Sequence, residues 1–184
     1  MISRAEQHQA RMRANELFRK AGVVLTEKEQ ASIEVADFGL SNLHVEGAQI
    51  LTLIQTERLS VKLLALTPFQ TEPEHWHPPV GDDPGKEETV RHVFGDLYFY
   101  LDGPANMVKG YIPEGKDDVY RLRHEVVLQP GDQLTCKPGA KHWFQAGPMG
   151  AVLFSFSTVA RDILDCFTDA RVQRQTVISE GDAT

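Results

Sequence analysis

The N-terminal residues have the apolar spacing of an amphipathic helix. Ser3 and Glu6 have the spacing of a capping box, which would begin the helix, and Gly22 would end it. Thr26 and Glu29 repeat the capping spacing and predict a second, short helical turn. The apolar stripe of the first helix consists of Ala10, Ala14, Leu17, Phe18 and Ala21. Such a stripe must cover either the body of the protein or a partner subunit.

From about residue 33 onwards, the pattern changes to short segments rich in β-forming residues. Turn-forming pairs such as Asp102-Gly103 and Pro130-Gly131 separate these segments. The segments include AQILTLIQT, SVKLLALTP, VRHVFGDLYFYL, VYRLRHEVVLQ and AVLFSFSTV. Because no helical pattern lies between them, they predict an antiparallel sandwich or barrel. We therefore expect a helical extension over residues 1–32, packed on an all-β domain over residues 33–178.

Charge and hydropathy narrow the classes of partner. The chain of 184 residues carries 26 acidic and 19 basic side chains, a formal net charge of −7. This balance argues against nucleic acid or an anionic membrane surface as a partner. No apolar run approaches the roughly 20 residues of a membrane span, and the N-terminus is too polar for a secretory signal. Cys136 and Cys166 are too few for a disulfide scaffold, so we expect two buried thiols and a cytoplasmic location.

His75 and His77 suggest a metal site in the stretch PEHWHPPVGDDPGKEETVR. Residues i and i+2 of a β-strand point to the same face, so both imidazoles would face one way and Trp76 the other. Glu88 begins the next strand, and His142 follows a Pro-Gly turn at the start of a later one. These four side chains would form a mixed site that suits Mn²⁺, Fe²⁺ or Zn²⁺ and leaves room for water or substrate. The alternative is a pair of histidines on a surface loop.

The same residues resemble the two motifs of the cupin fold. The first motif, His-x-His, a spacer, Glu, six residues and Gly, is matched by His75, His77, Glu88 and Gly95, and the second by PGAKH, which ends at His142. More closely, the chain resembles the D-lyxose ketol-isomerase family of sugar-isomerising cupins. The resembling segments are VLTEKEQASIEVADFGL, PEHWHPPVGDDPGKEETVR, FGDLYFYL, RHEVVLQPGDQ, HWFQAGP and FSTVARDILDCFTDARV. This resemblance implies a cupin-type antiparallel β-barrel, or jelly roll, with an N-terminal helix.

The resemblance also implies a cofactor and a reaction. His75, His77, Glu88 and His142 would bind a divalent metal, most often Mn²⁺, with Zn²⁺, Fe²⁺ or Co²⁺ as alternatives. The reaction would convert the free sugar D-lyxose to D-xylulose, and D-mannose to D-fructose. By analogy with cupins we expect a homodimer. The sequence leaves open a sugar-binding metal cupin without catalysis, and a cupin dioxygenase that uses Fe²⁺.

Two lysines are candidate donors to the sugar oxygens, which such a reaction requires. Lys86 lies two residues before Glu88, so an extended backbone would place both on one face; the alternative is a solvated loop lysine. Lys62 lies in the strand SVKLLAL and would point inward if it shares the face of Leu64 and Leu66; otherwise it points to solvent. The resemblance implies a lysine at both places.

The late strand AVLFSFST raises the question of which group carries the proton. The resemblance implies a glutamate where this chain has Ser155, and a serine hydroxyl is a poor base near neutral pH. His92, because histidine as a residue type titrates near neutral pH, and Glu87 are alternative carriers. The acidic residues that follow this strand have the pattern of a solvated helix or loop and predict no second metal site: Asp162, Asp165 and Asp169.

Overall fold

The computed structural model describes residues 1–179. Within this range, nine strands form one antiparallel sheet that curls into a half-barrel, and two short strands form a second, parallel sheet. The elements are β1 (Ile2–Ser3), α1 (Arg4–Lys20), α2 (Glu27–Ser32), β2 (Glu34–Ala36), β3 (Ala48–Gln55), β4 (Leu59–Leu66), β5 (Thr71–Trp76), β6 (Glu88–Leu101), β7 (His124–Leu128), β8 (Gln133–Cys136), β9 (His142–Thr158), a 3₁₀ turn (Asp162–Leu164), β10 (Cys166–Phe167) and β11 (Ile178–Ser179). The predicted all-β, cupin-type fold with an N-terminal helix is confirmed.

Helix α1 begins and ends where its capping pattern predicts. The Ser3 hydroxyl accepts a hydrogen bond from the backbone N–H of Glu6 (3.1 Å), and the Glu6 carboxylate accepts one from the backbone N–H of Ser3 (2.7 Å). These bonds satisfy N–H groups that the helix itself leaves free. Gly22 follows the helix with a φ of +75°, a left-handed conformation that glycine adopts without steric cost.

Loss of this cap should measurably destabilise the protein. We expect Ser3→Ala to lower the free energy of unfolding by about 1 kcal/mol, because it leaves the Glu6 N–H without its acceptor. Ser3→Thr is the matched control, since threonine retains the capping hydroxyl and should stay close to the wild type. Urea denaturation of the three proteins measures the difference. Equal unfolding midpoints for Ser3→Ala and the wild type would show that α1 does not depend on this cap.

The apolar stripe of α1 packs on the outer face of the chain's own sheet. Its buried residues from Ala14 onwards form a cluster with residues of β3, β4 and β9, namely Ala14, Leu17, Phe18, Leu51, Leu63, Ala65 and Val152. Burial of this apolar surface holds the helix on the sheet. The stripe is therefore occupied within the chain and is not a free surface for a partner subunit.

Strand β9 brings the distant parts of the sequence together. It pairs with β6 along one edge over nearly its whole length, and along the other edge with β5 near its beginning and with β4 near its end. In this register, His142 lies opposite His75 of β5, and Ser155 lies opposite Lys62 of β4 and Val90 of β6. The inward face of the sheet is filled mainly by aliphatic and aromatic side chains that include Leu64, Leu66, Leu97, Phe99, Phe144 and Leu153.

The helices and cysteines bear on two further expectations. No helix among residues 1–179 is long and apolar enough to cross a lipid bilayer. Cys136 is a buried free thiol, as predicted, whereas Cys166 is a free thiol that is only partly buried. Cys166 lies in β10, an edge strand that pairs on one side with β5, which leaves part of the residue accessible.

Candidate metal centre and its cavity

Three histidines from different parts of the sequence converge at one end of the half-barrel. His75 lies in β5, His77 follows β5 directly, and His142 begins β9. All three are buried, and each offers a ring nitrogen within 4.8 Å of those of the other two. The rings of His75 and His142 are 4.2 Å apart between centroids, because these residues are register partners.

A fixed acceptor orients each imidazole. The Nδ1 of His75 lies 2.8 Å from the Pro73 carbonyl oxygen, and the Nδ1 of His142 lies 3.0 Å from the Ala140 carbonyl oxygen. A carbonyl oxygen can only accept, so in both rings Nδ1 carries the hydrogen and Nε2 keeps its lone pair. His77 differs, because its Nδ1 lies 2.7 Å from a carboxylate oxygen of Asp165.

Glu88, the first residue of β6, completes the cluster. One of its carboxylate oxygens, Oε2, lies 3.0 Å from the Nε2 of His77 and 3.9 Å from the Nε2 of His142. The Ser155 hydroxyl donates to the other oxygen, Oε1, and the Lys86 ammonium lies 3.4 Å from Oε2. Burial acts to raise the pKa of Glu88, but Lys86 and the hydrogen bond from His77 hold it well below its ordinary value.

The protonation of the imidazoles follows from the same surroundings. Burial lowers the pKa of His75 well below its ordinary value and lowers the pKa of His142 to about 4, which keeps both rings neutral. Burial has the same tendency at His77, but its hydrogen bonds to Asp165 and Glu88 outweigh it and raise the pKa. Neutral imidazoles and an ionised carboxylate are the forms that bind divalent transition metals, so His75, His142 and Glu88 already have the form that binds such an ion. His77 fits the same ion once its Nε2 releases the proton that it shares with Glu88, as imidazole ligands do on metal binding.

A cavity adjoins the cluster, and we refer to it as the central cavity. Its floor is apolar and consists of Ile50, Leu64, Val90, Phe144 and Leu153. Its remaining lining is polar and consists of Lys62, Glu72, His75, Lys86, Glu88, Ser155, Asp162, Asp165 and Arg174. The lining is therefore mainly polar and charged, with one apolar part, and the polar groups that converge on it could fix the orientation of a small polar molecule.

Both predicted lysines lie on the central cavity. Lys62 shares the inward face of Leu64, as expected, and forms an ion pair with Asp162. Lys86 lies 3.9 Å from Asp162 as well as close to Glu88. Burial acts to lower the pKa of Lys86, but Glu88 and the neighbouring aspartates raise it, so its charge is retained. Asp162 thus lies within ion-pair distance of both ammonium groups, although Lys86 is closer to Glu88.

The expectation that the late aspartates lie on a solvated surface is wrong. Asp162 and Asp165 line the central cavity, and Asp169 is buried in ion pairs with Lys116 and Arg171. The segment after β9 folds back across the sheet, where its strand β10 pairs with β5 at Trp76 and His75. That return is a long-range contact, which local charge patterning does not report. The resembling segment FSTVARDILDCFTDARV was the available signal.

Glu72 of β5 is a cavity residue that sequence reasoning missed. Strict alternation would place Glu72 on the opposite face from His75, three residues later. The pairing of β5 with β9 shifts register between these two residues, and such irregularities redirect side chains. Glu72 thus lines the cavity beside His75, with 4.0 Å between Oε1 and the Nε2 of His75. Burial and the nearby Glu88 raise the pKa of Glu72 to about 7.

The alternative proton carriers lie outside this site. His92 is fully buried with its Nε2 2.7 Å from the Phe94 carbonyl oxygen, and it does not line the central cavity. Glu87 is exposed, and its backbone N–H donates to the Thr158 hydroxyl. Ser155 lines the cavity, but its hydroxyl donates a hydrogen bond to Glu88.

Comparison with known proteins was made on both sequence and structure. No family model matches the chain. The chain is 52% identical over 178 residues to a D-lyxose ketol-isomerase of Cohnella laeviribosi, covering 96% of this chain and 98% of the relative. It is 41% identical over 175 residues to a D-lyxose/D-mannose isomerase of Thermosediminibacter oceani, covering 95% of this chain and 97% of the relative.

Solved structures show the same fold. The L-ribose isomerase of Cellulomonas parahominis superposes with a TM-score of 0.78 at 18% sequence identity, over 97% of this chain and 98% of that one. The L-ribose isomerase of Acinetobacter sp. DL28, solved in complex with L-ribose, gives the same TM-score, identity and coverage. At this identity the likeness concerns the fold alone.

Proposed function

Because this chain belongs to the D-lyxose ketol-isomerase family, we propose that it is a metal-dependent isomerase that converts D-lyxose to D-xylulose. D-mannose, converted to D-fructose, is the second proposed substrate, since one relative is named for both sugars. The observation that carries the proposal is the convergence of three imidazoles and Glu88 beside a cavity that also holds two lysines. Aldose–ketose isomerisation moves hydrogen between C1 and C2. We propose that the imidazoles and Glu88 hold the metal for this reaction and that the lysines contact the sugar oxygens.

The proposed ligands of the metal are the Nε2 atoms of His75, His77 and His142 and the carboxylate of Glu88. When bound, a divalent cation would polarise the sugar oxygens and stabilise the negative charge that develops on them. Ser155 would support this site by donating to Glu88, which fixes the direction of the carboxylate. We propose Mn²⁺ as the resident ion, and elemental analysis of the purified protein tests that choice.

The proposed role of Lys62 and Lys86 is to donate hydrogen bonds to the sugar oxygens. Asp162 positions both ammonium groups before the sugar arrives, so little ordering remains to be done on binding. The apolar floor would exclude water from the reacting carbons and strengthen these charged hydrogen bonds.

Turnover of a sugar tests the proposal directly. Protein loaded with Mn²⁺ is incubated with D-lyxose or D-mannose, and the ketose is quantified by NMR. Formation of D-xylulose is the expected result. Sugar binding without turnover would instead support a non-catalytic sugar-binding cupin. Oxygen consumption with a catechol or a thiol, together with bound iron, would support a dioxygenase.

Asp165 should contribute to metal affinity through His77. We expect Asp165→Leu to weaken Mn²⁺ binding by about 10- to 100-fold, because the ring loses the carboxylate that orients it. Asp165→Asn keeps an acceptor oxygen, so its Mn²⁺ affinity should decrease less than that of Asp165→Leu. Electron paramagnetic resonance of free Mn²⁺ gives the affinities, with the exposed Asp102→Leu as control. Unchanged affinity in Asp165→Leu would show that this hydrogen bond has no part in holding the metal.

The location and assembly of the protein are also proposals. We propose a cytoplasmic enzyme, in keeping with two free thiols. We propose a homodimer, for which an apolar row across the outer face of three strands offers a surface. Ile54, Val61 and Phe156 are neighbours in this row, and Ile54 and Phe156 are 47% and 42% exposed. Sedimentation of the wild type and of Phe156→Asp tests the assembly.

A further inference from the structure

The carboxylate of Glu72 is positioned to bind something that the chain itself does not supply. Its side chain is only 12% exposed. Its Oε2 atom is fully buried and has no hydrogen-bond partner among residues 1–179. A buried acceptor without a partner is unfavourable, and in native proteins such atoms are almost always satisfied. The partner of Oε2 is therefore expected to come from the contents of the central cavity.

Glu72 is unlike the other acidic side chains of the cavity in this respect. Glu88 accepts from Ser155 and contacts His77, Asp162 accepts from Lys62, and Asp165 contacts His77. Each of these carboxylates already has a use within the protein. The Oε1 of Glu72 is 4.0 Å from the Nε2 of His75, beyond hydrogen-bond distance, so no described side chain holds this carboxylate as the others are held.

Glu72 also lies on the cavity in which the proposed function places the sugar. It lines the same cavity as Lys62 and Lys86, which are donors, whereas a carboxylate is an acceptor. A sugar offers carbonyl and hydroxyl oxygens that accept from lysines, and hydroxyl hydrogens that need an acceptor. The irregular pairing of β5 that turns Glu72 inward is a structural feature of the kind found beside binding sites.

We propose that Glu72 accepts a hydrogen bond from one hydroxyl group of the bound sugar and thereby helps to determine which sugar is accepted. This inference rests on the proposed function, because it names a contact between this chain and the substrate of the same site. We assign the contact to a hydroxyl group on a sugar carbon that does not react, so it can be probed by removing one hydroxyl at a time.

The test combines changes in the protein with changes in the sugar. Wild type, Glu72→Leu and Glu72→Gln, all loaded with Mn²⁺, are assayed with D-lyxose and with its 3-deoxy, 4-deoxy and 5-deoxy analogues. We expect Glu72→Leu to lower kcat/KM for D-lyxose by about 10- to 100-fold, as for loss of a hydrogen bond to a charged group. For one deoxy sugar, the wild type and Glu72→Leu should agree within about threefold, because both lack the bond. Glu72→Gln keeps an acceptor oxygen, so its kcat/KM for D-lyxose should lie between those of the wild type and Glu72→Leu.

Two further measurements make the outcomes distinct. Mn²⁺ affinity should be the same in Glu72→Leu and the wild type, and the exposed Glu87→Leu should behave as the wild type throughout. An equal loss on all four sugars, or a loss of Mn²⁺ affinity, would overturn the proposed contact and leave the proposed function standing. If the wild type neither converts nor binds any of the sugars in calorimetry, both are wrong. If the wild type binds the sugars without turnover, the affinities of the wild type and Glu72→Leu for D-lyxose and for each deoxy sugar are compared in the same way. That comparison then tests the Glu72 contact without any measurement of activity.

Discussion

His77→Ala is expected to abolish metal retention and isomerisation together. The variant removes one of three proposed imidazole ligands and also leaves Asp165 without the ring that it contacts. Loss of an orienting residue alone costs about 10- to 100-fold in metal affinity, and loss of a ligand should exceed that. If the cation contributes about 4 kcal/mol to stabilising the developing charge, kcat/KM should fall by about 10³-fold or more. Elemental analysis and a D-lyxose assay on the same preparation measure both effects.

His44→Ala is the control for this variant, since His44 is exposed and does not line the central cavity. It should retain both metal and activity. Circular dichroism of the two proteins establishes that each is folded. Full activity with bound metal in His77→Ala would place the metal elsewhere and would contradict the proposed centre. Metal retained without activity would indicate that His77 contacts the substrate and does not hold the ion.

Lys62→Met is expected to slow the reaction without loosening the metal. Lys62 contacts Asp162 and no proposed ligand, so Mn²⁺ affinity should change by less than about threefold. Removing one charged donor from a developing oxyanion costs about 10² to 10³ in rate, and we expect a decrease in kcat/KM of that size. The fold should tolerate the change, because Lys86 and Arg174 still compensate the charge of Asp162.

The exposed Lys28→Met is the matched control and should have wild-type kinetics. Lys62→Arg retains the charge but not the geometry of a single ammonium group, so partial activity is expected. Steady-state kinetics with D-lyxose and Mn²⁺ titration of each variant give the required values. Wild-type kcat/KM in Lys62→Met would mean that Lys62 serves only to neutralise Asp162.

Local features of the chain were predictable because they depend on neighbouring residues. The capping boxes at Ser3 and Thr26 begin the two helices as their spacing predicts. The inward direction of Lys62 follows from alternation with Leu64 within one strand. The pairing of His75 with His77 on one side follows from the same short-range geometry. None of these inferences requires knowledge of what lies across the sheet.

The remaining site residues depend on contacts between distant segments. Asp162 and Asp165 reach the cavity only because the chain after β9 returns and pairs with β5. The inward position of Glu72 depends on an irregularity between β5 and β9 that alternation cannot anticipate. His92 was a candidate proton carrier by residue type, but it is buried away from the cavity and its ring contacts a backbone carbonyl.

The sequence by itself determined the class of fold, the ends of the helices and the shared direction of His75 and His77, because spacing along a strand or helix sets the direction of each side chain. Glu88 and His142 joined the candidate ligands through the resemblance to a known family. Only the tertiary structure decided which carboxylates surround those ligands. The register of β5 against β9 and the return of residues 162–174 result from packing over the whole sheet, and that sum of long-range contacts is not encoded in any short stretch of the chain.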